Sequence, residues 1–146
     1  MIQDAYRLYR ANNKLEFQFE STGKNGIIQK IILYQPIGKN RFNLAFGDRK
    51  GNDIDDKVVS NNGDLIKVVS TVALSVYQFF EDNPTATIEI QGVDMKRLRL
   101  YNHIFKRKKT EIETLFILKG DLGDDKLIPV ETDQFYTKFV VKNKIS

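Results

Sequence analysis

Between Leu15 and Phe46 the chain alternates apolar and polar residues in three successive runs separated by turn residues, so it should begin as an antiparallel sheet. In the first run Leu15, Phe17 and Phe19 alternate with Glu16, Gln18 and Glu20, the period of a half-buried strand. Gly23-Lys24-Asn25-Gly26 then turns the chain into residues 27–34, which are apolar on both sides apart from Gln29 and Lys30, as an interior strand should be. After Pro36, Gly38 and Asn40, a third strand over 41–46 sets Phe42, Leu44 and Phe46 on one side, and Gly47 and Asp48 close it. A weaker fourth candidate, residues 54–60, runs into Asn61-Asn62-Gly63-Asp64. There either asparagine can cap a helix, and Asp64 in its first turn faces the positive end of the helix dipole.

The spacing predicts a helix over about 63–82, with Leu65, Val69, Val72, Val76 and Phe79 inward, flanked by Ile66, Ala73, Tyr77 and Phe80. Only Lys67, Thr71, Ser75 and Gln78 look fit for water, so this helix is expected to lie on the sheet as its main core contact. Asn83-Pro84 ends it. A short strand follows over 86–91, then a helix around 95–107, an ambiguous exit over 108–113, and strands over 114–119, 127–130 and about 135–142. The expected architecture is a single α+β domain over 1–146, mostly antiparallel, in the order β-β-β-β-α-β-α-β-β-β.

A chain of 146 residues can bury one core without staples, and 16 Phe plus Tyr with 41% apolar residues mark an ordered globular protein. The absence of cysteine excludes disulfides, cysteine zinc sites and thiol catalysis. No charged-then-apolar leader or long apolar run is visible, so a soluble cytoplasmic protein without membrane contact is the expectation.

The positive charge is local. Residues 95–109 hold seven of the 23 Lys and Arg and no Asp or Glu, while the remainder has 16 basic against 19 acidic residues. On a helical projection Leu98, Tyr101, Ile104 and Phe105 fall on one side and Lys96, Arg99, His103 and Arg107 on the other, with Lys106 adjoining. The projection puts Arg97 near the apolar side, where it can pair with a buried acid. No acidic partner interrupts the segment, and Tyr101, Phe105 and Tyr6 or Tyr9 can supply aromatic faces.

Catalytic chemistry finds less support. His103 sits among cations with no Ser or Cys nearby to serve as nucleophile. The acids Asp48, Asp53, Asp55, Asp56 and Asp64 could hold a hard cation, but the calcium-loop template fails. With Asp53 as its first position, Lys57 and Val58 stand where a ligand and the turn glycine are needed. Neither the dinucleotide fingerprint nor the phosphate-loop motif occurs. The helix start at 60–64 could hold an anion, though Asp64 already occupies that field.

Three functions follow in order. The first is a non-enzymatic module for single-stranded DNA or RNA, with Lys96, Arg97, Arg99, Lys106, Arg107 and Lys108 on phosphates and Tyr101 stacking or packed inside. Duplex readers usually carry a helix-turn-helix or zinc signature, and none is visible. The second is a protein-interaction component, such as a regulatory or toxin–antitoxin partner, that sets the same helix against an acidic surface. The third is a metal-dependent phosphodiesterase using Asp48, Asp53, Asp55 and Asp56. No cofactor is expected.

The strings PIGKNRFNLAFGD (36–48), IDDKVVSNNGD (54–64) and RLRLY (97–101) resemble those of an uncharacterised family of short bacterial proteins, a domain of unknown function, over about 15–142. That resemblance implies no activity and transfers no catalytic residue. The four-strands-then-helix order of the first 82 residues is also similar to the repeat of the Pur and Whirly single-strand-binding proteins. This analogy implies a binding surface on the sheet face away from the helix, here Glu16, Gln18, Glu20, Gln29, Lys30, Arg41, Asn43 and Lys57. A second four-strand repeat is missing, so a symmetric unit would need two chains to pair as a homodimer.

Overall fold

The computed structural model describes residues 2–51, 53–55, 62–92 and 94–144. A short 3-10 turn, Ile2–Asp4, precedes β1 (Tyr9–Arg10), β2 (Glu16–Gly23), β3 (Gly26–Gly38), β4 (Arg41–Lys50), β5 (Asp53–Asp55) and α1 (Leu65–Asp82). Then come β6 (Thr87–Gln91), α2 (Met95–Arg107), α3 (Lys109–Leu115), β7 (Phe116–Asp121), β8 (Leu127–Pro129) and β9 (Lys138–Asn143). The protein is α+β with mostly antiparallel pairing, as the pattern indicates; β4 and β6 pair in parallel. The turn of helix over Lys109–Leu115 replaces the ambiguous exit, and the last strand starts at Lys138 rather than near Phe135. Beyond Asp55, the expected fourth strand lies outside the described residues.

Packing divides the chain into two compact units, Met1–Gln35 with Ala45–Asp82, and Pro36–Leu44 with Asn83–Ser146. In the first, β2 pairs with β3 so that Phe17 faces Ile32 and Phe19 faces Lys30. The core is aromatic: Tyr34 stacks on Phe79 of α1 with ring centroids 4.3 Å apart, and Phe19 lies between Tyr6 at 5.7 Å and Phe46 at 6.3 Å.

α1 sits differently from its expected orientation. Thr71 and Ser75, assigned to water by their polarity, are fully buried, whereas Leu65, Ile66 and Tyr77 are exposed. Each hydroxyl donates to a carbonyl of its own helix, Thr71 to Lys67 and Ser75 to Val72, both at 2.7 Å. That leaves the oxygens to accept inward: Thr71 takes the backbone N–H of Tyr6 at 2.7 Å, and the Ser75 oxygen lies 2.7 Å from the Tyr34 hydroxyl. Burial pushes the Tyr34 phenol well above its ordinary value. Lys30 likewise points into the core, against the expectation of an exposed residue, and pairs there with Asp48.

The 62–64 segment serves the sheet more than the helix. Asn62 is buried and closes the β2–β3 turn, donating to the Gly26 carbonyl at 2.9 Å and accepting from the Asn25 N–H at 2.6 Å. A Cβ at Gly23 would fall 1.9 Å from the Asn62 carbonyl oxygen, so only glycine fits there. Asp64 accepts from the Tyr6 hydroxyl at 2.6 Å and from Ser21 at 2.5 Å.

In the second unit the hydrogen-bonded order is β4-β6-β9-β7-β8. Ile88, Ile90, Phe139, Val141, Phe116 and Leu118 form the buried side. Tyr136 lies so close over Gly120 that a Cβ there would approach its ring to 2.3 Å. Asn40 takes the left-handed conformation, φ 56°, in the β3–β4 turn and donates to the Thr85 carbonyl at 2.9 Å.

Candidate nucleic-acid interface

α2 starts at Asp94, whose carboxylate accepts the Arg97 N–H at 2.8 Å, and ends with Lys106 and Arg107, whose charges suit the negative end of the dipole. Leu98, Tyr101, Ile104 and Phe105 are half-buried, as the projection requires, and Phe105 stacks on Phe139 with centroids 4.3 Å apart. The deepest contacts of the helix are polar. Asn102 is buried and grips the backbone of Tyr136, donating to its carbonyl and accepting its N–H, each at 2.8 Å. One side chain thereby satisfies both backbone groups of a fully buried residue.

Lys96, Arg99, His103 and Arg107 are exposed on the opposite side, and Lys106 is half-buried beside them. Arg99, His103 and Arg107 follow one another at four-residue intervals, so they rise along the helix in steps of about 6 Å. Among the described residues none of Lys96, Arg99 and Arg107 is engaged in a salt bridge with a carboxylate.

Two expected phosphate ligands are placed otherwise. Arg97 is only 4% exposed and its guanidinium lies 3.5 Å from Asp94, so it belongs to the packed side; that acid is itself half-exposed rather than buried. Lys108 is 3.4 Å from Glu111, and the neighbouring Lys109 is 2.9 Å from Glu113. These α3 acids lie just past the segment's end, which is why the segment alone looked uncompensated. The Glu113 hydrogen bond holds the Lys109 ammonium above its ordinary value. Tyr101 is half-buried on the packed side and Phe105 stacks inward.

The exposed aromatic beside Lys106 is instead Phe135, with the Lys106 ammonium 5.9 Å from its ring centroid. The pattern hid it by reading as strand what is a loop leading to β9. The β7–β9 register also gathers Lys119, Lys138 and Lys142 on the sheet side opposite Phe139. There Glu89 is buried between Arg41, at 2.6 Å, and Lys138, at 3.3 Å. Burial pushes the Glu89 carboxyl up, yet the hydrogen bonds and charges of Arg41 and Lys138 outweigh that and hold it below the ordinary carboxylate range. Strand periodicity alone cannot find this surface, because its cations come from strands distant in sequence.

The metal constellation gains nothing from the geometry. Among the described residues no group of three His, Asp or Glu could hold an ion, Asp48 is engaged by Lys30, and Asp56 and Lys57 lie outside the described residues. Nor is any helix among the described residues long and apolar enough to cross a membrane.

Many polar residues of the strings quoted above thus work inside the structure: Asn40 in a turn, Arg41 on Glu89, Asp48 on Lys30, Asn62 and Asp64 around the β2–β3 hairpin, and Arg97 under α2. Arg99 alone among the charged residues of RLRLY is exposed. No curated protein and no solved structure matches the chain. Residues 2–144 match a family described as a family of unknown function (DUF6934), and the chain belongs to that family.

Proposed function

We propose that the protein is a non-enzymatic binding module for single-stranded nucleic acid and that the outer face of α2 is its phosphate-binding surface. The observation that carries this reading is the row Lys96, Arg99 and Arg107, exposed and outside every salt bridge among the described residues, on a helix whose other side is fixed by Asn102 and Phe105. Fixed, unneutralised cations at helical spacing attract a polyanion without having to break internal pairs. With Lys106 as the fourth contact, log affinity should fall against log salt with a slope of about −3. Arg97 and Lys108 drop out of the contact set.

Fluorescence anisotropy of labelled single-stranded DNA, single-stranded RNA and duplex DNA at several salt concentrations tests the proposal. Binding that weakens with this slope and is abolished in a variant carrying Lys96→Glu, Arg99→Glu and Arg107→Glu supports it. A wild type that binds none of the three at low salt overturns it and turns the search to an acidic protein surface.

A further inference from the structure

Phe135 is 43% exposed, yet its position is not that of a loose loop residue. Its neighbour Tyr136 is fully buried, with both backbone groups clamped by Asn102 and its hydroxyl accepting the Glu131 N–H at 2.6 Å. Asn102 stands one turn before Lys106 on α2, so the same helix that fixes Tyr136 also places an ammonium 5.9 Å from the Phe135 ring centroid. A ring that keeps 43% of its surface in water beside the Lys106 ammonium is only partly used by the packing beneath it. Its surroundings match the combination that binds single strands, in which an aromatic face takes a base while neighbouring cations hold the backbone.

We propose that Phe135 is a stacking platform for an unpaired base of a nucleic-acid strand whose phosphates lie along α2. The inference rests on the nucleic-acid reading of that helix and adds a consequence the charges alone do not have. A row of cations attracts any polyanion, whereas a ring can take only a base that is free to leave its own stack. Single strands should therefore be preferred to duplex, with little dependence on base identity, because every base offers a π-face. Lys106 would turn from the ring to the adjoining phosphate.

The chain contains no tryptophan, so Phe135→Trp introduces a single indole reporter at the platform. This variant should be titrated with a single-stranded oligonucleotide, an abasic strand of equal length, duplex DNA and inorganic polyphosphate, with anisotropy or competition to report binding in parallel. The expected result is quenching of the indole by the base-bearing single strand and not by the abasic strand or polyphosphate. Phe135→Ala should weaken the base-bearing strand about tenfold or more while leaving the abasic strand unchanged. Phe135→Leu, which keeps apolar bulk without a ring face, should behave like the alanine variant, and unchanged thermal unfolding in both would confirm that the fold is intact. Binding without quenching, together with unchanged affinity in Phe135→Ala and Phe135→Leu, overturns the platform and leaves the α2 reading standing. No binding by any probe overturns both.

Discussion

α1 and α2 are both amphipathic helices that place polar side chains inward, and they do so to different ends. In α1 the inward groups are short hydroxyls, Thr71 and Ser75, which first bond their own helix and then serve Tyr6 and Tyr34 within an aromatic core. In α2 they are the longer Arg97 and Asn102, and the clamp of Asn102 on Tyr136 accompanies the ring stack of Phe105 on Phe139. The contrast separates two meanings of charge and polarity: inside either helix the polar groups named here have structural partners, whereas Lys96, Arg99 and Arg107 on the outer side of α2 are exposed and in no salt bridge among the described residues.

The largest effect that should separate the helices is Phe79→Ala in α1, expected to cost roughly 3–5 kcal/mol in urea unfolding because the ring fills the core beneath Tyr34. Asn102→Leu in α2 keeps similar bulk but leaves the N–H and carbonyl of a buried residue without their partner. It should cost about 2–5 kcal/mol, and if the loss proves trivial, the clamp is not what fixes that helix. Thr71→Val preserves shape while removing the acceptor of the Tyr6 N–H, and a destabilisation of about 1–2 kcal/mol in thermal melts is expected.

A pH titration sharpens the same distinction. Glu89 is held below the unfolded value of 4.5, so its contribution is complete at neutral pH and fades as pH falls through that value toward its lower folded value. Glu89→Gln should therefore flatten the loss of stability in acid, measured by unfolding at pH 7, 4.5 and 3. Smallest of all should be Arg99→Ala, within about 0.5 kcal/mol of wild type. A large loss there would show that the outer face of α2 is structural after all.

Much of this architecture is legible in the residues. The period-two runs give β2, β3 and β4, and the cap-like residues at 61–64 announce α1 within two positions of its start at Leu65. Facing is less legible than existence. A projection sorts by polarity, and polarity misjudges Thr71 and Ser75 because a hydroxyl can satisfy itself on the preceding turn, and Lys30 because Asp48, eighteen residues away, accompanies it inward. The candidate interface was half visible: the outward cations follow from spacing, but Lys108 depends on the α3 acids and Phe135 on a clamp between residues 34 positions apart.

Asn62 has a consequence for the order in which this chain can assemble. The β2–β3 hairpin is local and can start to zip as soon as residue 38 is made, but its turn receives the bonds to Gly26 and Asn25 only from a residue synthesised 36 or more positions later. During synthesis the hairpin must therefore persist without those bonds, held by its own ladder down to the Gly23–Gly26 pair and by side-chain packing such as Phe17 across from Ile32. Synthesis at about 5–20 residues per second takes on the order of seconds to reach Asn62, long against the microseconds of hairpin formation, so the arrival of 62–64 should act as a late latch that converts a reversible hairpin into committed structure.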